Sequence, residues 1–315
     1  MDRPERFDGK PQWHGGVLDE YADMESGIWG EHVEPALRDT HGWCWFIGVP
    51  EGKNHYFELL QTYKESPAWG EYHWFSSDVM DPAEVNDAKK YLDERTFRQE
   101  YQGSFESYDG AAYPYYSEIH RSERALDDRR PLCVSADFNI DPCIWELFQD
   151  SPAHTHFFDE ICQKQTDIWK MCAELKKRLI GIAEGNEDNA RRRRTIFYGD
   201  YTSAHRRDVS ATEASWERIR REFSGWNAEY RLENNPRVLD RVGSVNARMR
   251  SADGLVRFSH SAKCVELKKD CEMLSTDDLL KSKAKVGDRS HASDAAGYPI
   301  HYEHGARKRG RLVAA

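Results

Sequence analysis

Three aspartates beyond residue 130 stand where a structured pattern ends or begins. Asp137 closes the apolar run Leu132-Cys133-Val134-Ser135-Ala136, and Asp200 closes Thr195-Ile196-Phe197-Tyr198-Gly199. Asp294 lies in the first turn of Ser290–Tyr298, a helical stretch on which His291, Asp294, Ala295 and Tyr298 share one face. A carboxylate beside a buried sheet is costly unless it is paired or holds a cation. Three of them brought together can clamp two divalent cations roughly 4 Å apart, which activate a water and stabilise the leaving oxygen of a phosphodiester. Carboxylate oxygens suit Mg²⁺ or Mn²⁺, hard ions that keep waters for a substrate. Asp288, Asp141 and Glu160 are further acids within reach of the same pattern. Each acid alone has an ordinary explanation: a solvated strand end, or a first-turn acid favoured by the helix dipole. The elements between them decide whether they meet.

Those elements follow in a recognisable order. The strand 132–137 is followed by strands at 144–149 and 155–161, close enough in sequence for an antiparallel meander. A helix runs from Thr166, as N-cap, to Leu179, with Ile168, Met171, Cys172 and Leu175 on one face. After a polar loop, Gly185–Arg194, comes the strand that ends in Asp200. Helices over 211–222, 238–250 and 264–274, a short strand at 256–259 and the Asp294 helix complete the chain. Three strands, a helix, a strand ending in Asp and a late helix carrying Asp form a ribonuclease H-like order. That order gathers acids from the first strand, the fourth strand and the last helix.

Residues 1–110 are of a different character. They carry 23 acids against 10 Lys/Arg, a net of −13, whereas residues 111–315 carry 32 against 35, a net of +3. Val17-Leu18-Asp19-Glu20 reads as a strand, begun near Trp13, that ends in the acid pair of a Walker B element; Asp19 would hold Mg²⁺ through water and Glu20 would polarise the attacking water. A second strand, Trp43–Pro50, runs into a Gly/Pro loop and a helix over 56–63; further helices are expected over 82–92, with Asp81 as N-cap, and over 94–101. Strand, loop and helix in this order indicate an α/β sheet. No Gly-x-x-x-x-Gly-Lys-Ser/Thr run occurs, so ATP hydrolysis by this chain alone is not expected. Residues 111–130 read as a linker.

Composition narrows the setting. No apolar run approaches the length of a membrane span. Seven cysteines without a Cys-x-x-Cys pair point to reduced thiols and a cytoplasmic location. Basic clusters at Arg191-Arg192-Arg193-Arg194, at Arg206-Arg207 and at 307–311 suit a phosphate backbone, although each equally suits a solvated loop.

Taken together, these segments resemble the large subunit of a tailed-phage DNA-packaging terminase, over nearly the whole chain. Val17–Met24 is similar to its Walker B segment and Gly48–Tyr56 to its coupling motif, although many members have Ser/Thr where this chain has Ile47 or Val49. Leu92–Phe97, Glu100-Tyr101 and Phe105 resemble the end of its ATPase domain. Asp137, Asp200 and His291-Ala292-Ser293-Asp294-Ala295-Ala296-Gly297-Tyr298 resemble its nuclease acids. The resemblance implies an incomplete P-loop ATPase α/β domain (1–110, without Walker A) and a ribonuclease H-like nuclease domain of mixed sheet (131–315). It implies an endonuclease that cuts concatemeric double-stranded DNA with two Mg²⁺ or Mn²⁺ ions. As partners it implies double-stranded DNA, a portal protein, a small terminase subunit and further copies of the chain on the portal, in the host cytoplasm. Translocation would need a P-loop from another chain. The opposing reading is a non-catalytic module that binds DNA or portal. A transposase- or resolvase-type enzyme is disfavoured by the Walker B-like and coupling segments.

Overall fold

The computed structural model describes residues 13–52, 54–106, 110–138, 142–201, 214–280 and 290–305. The chain folds as two compact units. One comprises Met1–Asn86 and Arg95–Tyr108, the other Asp87–Glu94 and Asp109–Ala315.

The first unit contains β1 (Gly15–Asp19), α1 (Glu34–Arg38), β2 (Trp43–Ile47), α2 (His55–Tyr63), α3 (Pro82–Ala88, whose last two residues fall in the second unit) and most of α4 (Glu94–Gln102). β1 and β2 pair in parallel, from Gly15 opposite Trp43 to Asp19 opposite Ile47. Their inner face packs Leu18 and Phe46 with Tyr21, Ile28, Val33 and Leu37. On the other face Trp43, Trp45 and Ile47 are exposed. The first strand is shorter than the sequence predicts, because Glu20 takes a left-handed backbone (φ 52°) and Tyr21–Asp23 coil into a 3-10 turn. The helix expected to reach residue 92 ends at Ala88, while its Asp81 cap is present, accepting from the amide of Ala83 at 2.7 Å.

The second unit is a six-stranded mixed sheet between two helical layers. Its elements are β3 (Leu132–Asp137), β4 (Cys143–Asp150), β5 (Thr155–Gln163), α5 (Ile168–Ile182), α6 (Glu187–Arg192), β6 (Thr195–Gly199), α7 (Ser215–Glu222), β7 (Ala228–Tyr230), α8 (Val238–Met249), β8 (Phe258–His260), α9 (Val265–Met273), α10 (Thr276–Leu280) and α11 (His291–His304). The strand order is β7-β6-β3-β4-β5-β8. The β3–β4–β5 meander is antiparallel, as the sequence predicts, and β6 lies parallel to β3 on its other side.

Alternation along the strands assigns the two faces. Leu132, Val134, Ala136 and Phe197 pack with Met171, Leu175 and Ile219 of α5 and α7. Cys133, Ile196 and Tyr198 point the other way, into a core with α8, α9 and α11. Asp137 shares the parity of Cys133, so it belongs to the α8/α11 face. Residues 111–130, a linker by sequence, lie along this unit: Tyr113 is buried, the amide of Ala112 donates to Leu274 O, and buried His120 meets Met249 O.

Several elements depart from the sequence reading. The polar stretch 185–194 holds a helix, α6, because Asn186 caps it by accepting from the amide of Asn189. α5 is capped by Asp167 rather than Thr166 and continues to Ile182. α11 runs on through Pro299 to His304, since every residue from His291 to Ile300 is buried and this burial outweighs the proline's lost hydrogen bond. β7 has no counterpart in the sequence reading; its three half-buried residues carry too short a pattern.

One backbone position holds the centre of the sheet. Gly199 has φ +147°, and a Cβ there would lie 2.3 Å from the carbonyl oxygen of Ala136 on the neighbouring strand. Only glycine lets β6 lie this close to β3 just before Asp200. Gly199→Ala is expected to cost about 2 kcal/mol or more; a midpoint unchanged in urea unfolding would contradict this.

Candidate active site

The strand ends bring two of the three predicted acids side by side. Ala136 is paired with Gly199 in the parallel β3–β6 ladder, so Asp137 and Asp200 follow one another across adjacent strands. The amide of Asp200 donates to Ala136 O, at 3.2 Å, which continues the ladder to that residue. α11 packs on the same face and carries Asp294.

Each acid has a distinct partner. Asp137, 2% exposed, accepts from His291 Nδ1 at 3.0 Å. Asp294, also buried, is in contact with the Arg241 guanidinium from α8. Asp200, half-buried, accepts from Asn235 Nδ2 at 2.6 Å, and Asn235 Oδ1 accepts from the amide of Tyr201. One asparagine therefore fixes both the carboxylate and the backbone that follows it. The four charges share one neighbourhood. Burial works against the charge on Arg241, but Asp294 first and Asp137 among others outweigh it, holding its pKa above the usual arginine value. Burial raises the pKa of Tyr298, and the negative charges of Asp137, Asp294 and Asp200 raise it further against Arg241. Arg241 also lies over the Tyr298 ring, 4.7 Å from its centre. The approach is possible because residue 297 is glycine: a Cβ there would meet Arg241 Cγ at 2.5 Å.

In kind, the donor set fits a hard divalent cation: carboxylate oxygens at matched ends of adjacent strands, with a third carboxylate on the covering helix. In arrangement the acids are individually partnered. Among the described residues no three His, Cys, Asp or Glu side chains are gathered as a metal-holding group. Asp141 and Asp288 lie outside the described residues. Glu160 is committed elsewhere, accepting from the amides of Glu266 (3.0 Å) and Leu267 (2.9 Å) at the start of α9.

Sequence reasoning misses the roles of three of these partners, though two of them leave a signal. Arg241 sits among Val238, Val242 and Val245 on the apolar stripe of its helix, where a charge needs a buried counter-charge. His291 falls on the Asp294 face, which hints at a place without giving it a role. Asn235 lies in an irregular loop and has no pattern to reveal it. A fourth missed residue is Glu146, alone in the apolar strand Cys143–Phe148. It is fully buried on the Asp137 face, opposite Ser135 on one side and Glu160 on the other. Neither of its carboxyl oxygens has a hydrogen-bond partner in bonding geometry. Burial first, and the charge of Glu160 second, push its pKa well above the glutamate range.

The remaining candidates divide. In the first unit Asp19 and Glu20 are exposed at the end of β1. The coupling-like segment bonds to the residues that follow them and to β2: Asn54 Nδ2 donates to Ala22 O, His55 Nε2 meets Tyr21 O, and Tyr56 donates to Phe46 O. Of the arginine cluster, Arg191 pairs with Glu187, Arg193 with Asp128 and Arg194 with Glu229; Arg192 is exposed. Three of its four charges are thus matched within the chain. Arg206, Arg207 and the 307–311 cluster fall outside the described residues.

Comparison with known proteins bears on the fold. No family model matches the chain. The large terminase subunits of Thermus phage G20c and Thermus virus P23-45 are each 27% identical to it over 154 residues, a stretch that covers 39% of this chain and 31% of each relative. The solved large terminase of another thermophilic bacteriophage has a similar fold, with TM-score 0.59 at 15% identity over 95% of this chain and 70% of that one. The α/β architecture of this chain, with its mixed sheet, is the fold it shares with that solved large terminase. Among the described residues no helix is long and apolar enough to cross a membrane.

Glu146 generates a pH prediction. Between the usual glutamate pKa and the raised one, the folded chain keeps a proton that the unfolded chain has released, so stability falls as pH rises through that window. Glu146→Gln cannot ionise. It is expected to unfold a few degrees higher than the parent at about pH 8 to 9 and at a similar temperature near pH 4.5. A parallel loss of stability with pH in both proteins would contradict the assignment.

Proposed function

We propose that this chain, a homologue of terminase large subunits by sequence and structure, is a divalent-metal-dependent DNA endonuclease of a viral packaging terminase. The reading rests on one observation above all: Asp137 and Asp200 end adjacent parallel strands at matched register, under a helix that carries Asp294. Its substrate is concatemeric double-stranded DNA, and the bond cut is a backbone phosphodiester.

Asp137, Asp200 and Asp294 are the residues that would hold two Mg²⁺ or Mn²⁺ ions. When bound, such ions supply an activated water and charge stabilisation for the leaving oxygen. The chain's own groups prepare for this. His291 donates to Asp137 and holds the orientation of its carboxylate. Asn235 locks the Asp200 side chain, and Arg241 balances the acids' charge until cations replace it. Packaging partners (a portal protein, a small subunit and further copies of the chain) follow from the same reading. The Asp19–Glu20 segment belongs to an ATPase domain whose P-loop motif does not occur in this sequence, so translocation is proposed only together with a segment that supplies one.

The individual partnering of Asp137, Asp200 and Asp294, with no three metal-ligating side chains gathered among the described residues, favours a second reading, a DNA- or portal-binding module without cleavage. Plasmid nicking separates the two. The endonuclease reading expects Mg²⁺- or Mn²⁺-dependent conversion of supercoiled to open-circular DNA, lost at least about 100-fold in Asp137→Asn and Asp200→Asn, with the thermal transition retained. DNA retention without cleavage in any divalent metal supports the binding module instead.

A further inference from the structure

The second unit carries another polar site, at the end of the sheet away from Asp137. β4 joins the two places: Ile144 pairs with Asp137 at its start, and Asp150 stands at its finish. Near Asp150, between the last turns of α8 and α11, lies a cavity of about 90 Å³ whose wall includes Lys90, Tyr91, Ser244, Arg248, Arg257 and His304. Among the described residues no carboxylate lines it.

Three of these side chains have carboxylate partners. Lys90 is 3.3 Å from Asp87, Arg257 is 3.1 Å from Asp253, and His304 Nε2 is 2.9 Å from Asp150. Arg248 is different. It is 5% exposed, and it donates to neutral acceptors: Pro152 O and Ser151 O at 2.9 Å, and Thr155 Oγ1 at 2.8 Å. The nearest carboxylate, Asp150, is 3.8 Å away and already accepts from Thr155 Oγ1 and interacts with His304. Arg248 Nε has no partner. Burial draws its pKa down to about 10 despite Asp150. A buried guanidinium answered mainly by neutral groups favours an anion beside it.

The geometry points to this cavity as a binding site for a single phosphate group, free or as the terminal group of a nucleotide. Arg248 Nε is the donor left to the anion, and the Lys90 ammonium and Arg257 guanidinium on the wall add positive charge. The depth of Arg248 keeps it from a duplex backbone and confines the ligand to a small anion. This site is separate from the acids of the endonuclease reading and does not depend on it.

The test is thermal unfolding of the full chain with EDTA present, titrated with inorganic phosphate at constant ionic strength. EDTA removes divalent ions that could hold phosphate at the acids. A saturable rise in melting temperature is expected with phosphate and not with chloride. In Lys90→Gln, half of whose side chain is already in solvent, and in Arg257→Gln, the half-saturating phosphate concentration is expected to rise about tenfold. Adenosine monophosphate binding more tightly than phosphate assigns the group to a nucleotide; weaker or no binding assigns free phosphate. Both keep the site. No saturable rise in the parent chain, or an unchanged midpoint in both variants, overturns it, as does stabilisation by a short DNA duplex alone.

Discussion

The buried charge on one face of the sheet is the constraint around which the second unit is built. Asp137, Asp270 and Asp294 are each at most 5% exposed, and Glu146 is fully enclosed. Ionised carboxylates at such depth are untenable without partners. The chain meets the demand in three ways. His291 and Arg241 supply donors and positive charge to Asp137 and Asp294. Backbone amides at the start of α11 serve Asp270, through Ser290 and Ser293, as amides at the start of α9 serve Glu160. At Glu146 burial favours a retained proton over charge.

These solutions tie together elements distant in sequence. Arg241 reaches Asp294 across 53 residues, and Asn235 reaches Asp200 across 35. The position of α11 over β3 and β6 is therefore set by charge as well as by the apolar contacts of Ala292, Ala296 and Ile300. A helix held this way sets its first turn against the end of β3, where His291 meets Asp137. Under the proposed reading, such a cluster of mutually compensated charges offers what a wholly apolar core could not, carboxylates for which cations can compete.

Much of this is legible in the sequence. Apolar runs ended by Asp mark β3 and β6, quick succession marks the antiparallel meander, and period-3.6 spacing marks α5 and α8. What escapes has no local pattern. β7 consists of three half-buried residues, and the α6 helix has a single apolar residue, Ala190, so neither shows an apolar period. α11 outruns its expected end because burial overrides a proline that local rules treat as a stop. At the site, strand-end acids are visible as breaks in pattern, whereas their partners are not. Arg241 and Glu146 are detectable in principle as charges inside apolar periods. Asn235 is not, since its position depends on where an irregular loop happens to pass.

The central claim is that Asp137 and Asp200 together hold divalent cations. Crystals soaked in Mn²⁺ and measured at the manganese absorption edge test it most directly. The account predicts anomalous peaks between the Asp137 and Asp200 carboxylates, with the third acid ligand, Asp294 or Asp288, identified by the same map. Saturating Mn²⁺ that leaves this position without a peak would contradict it.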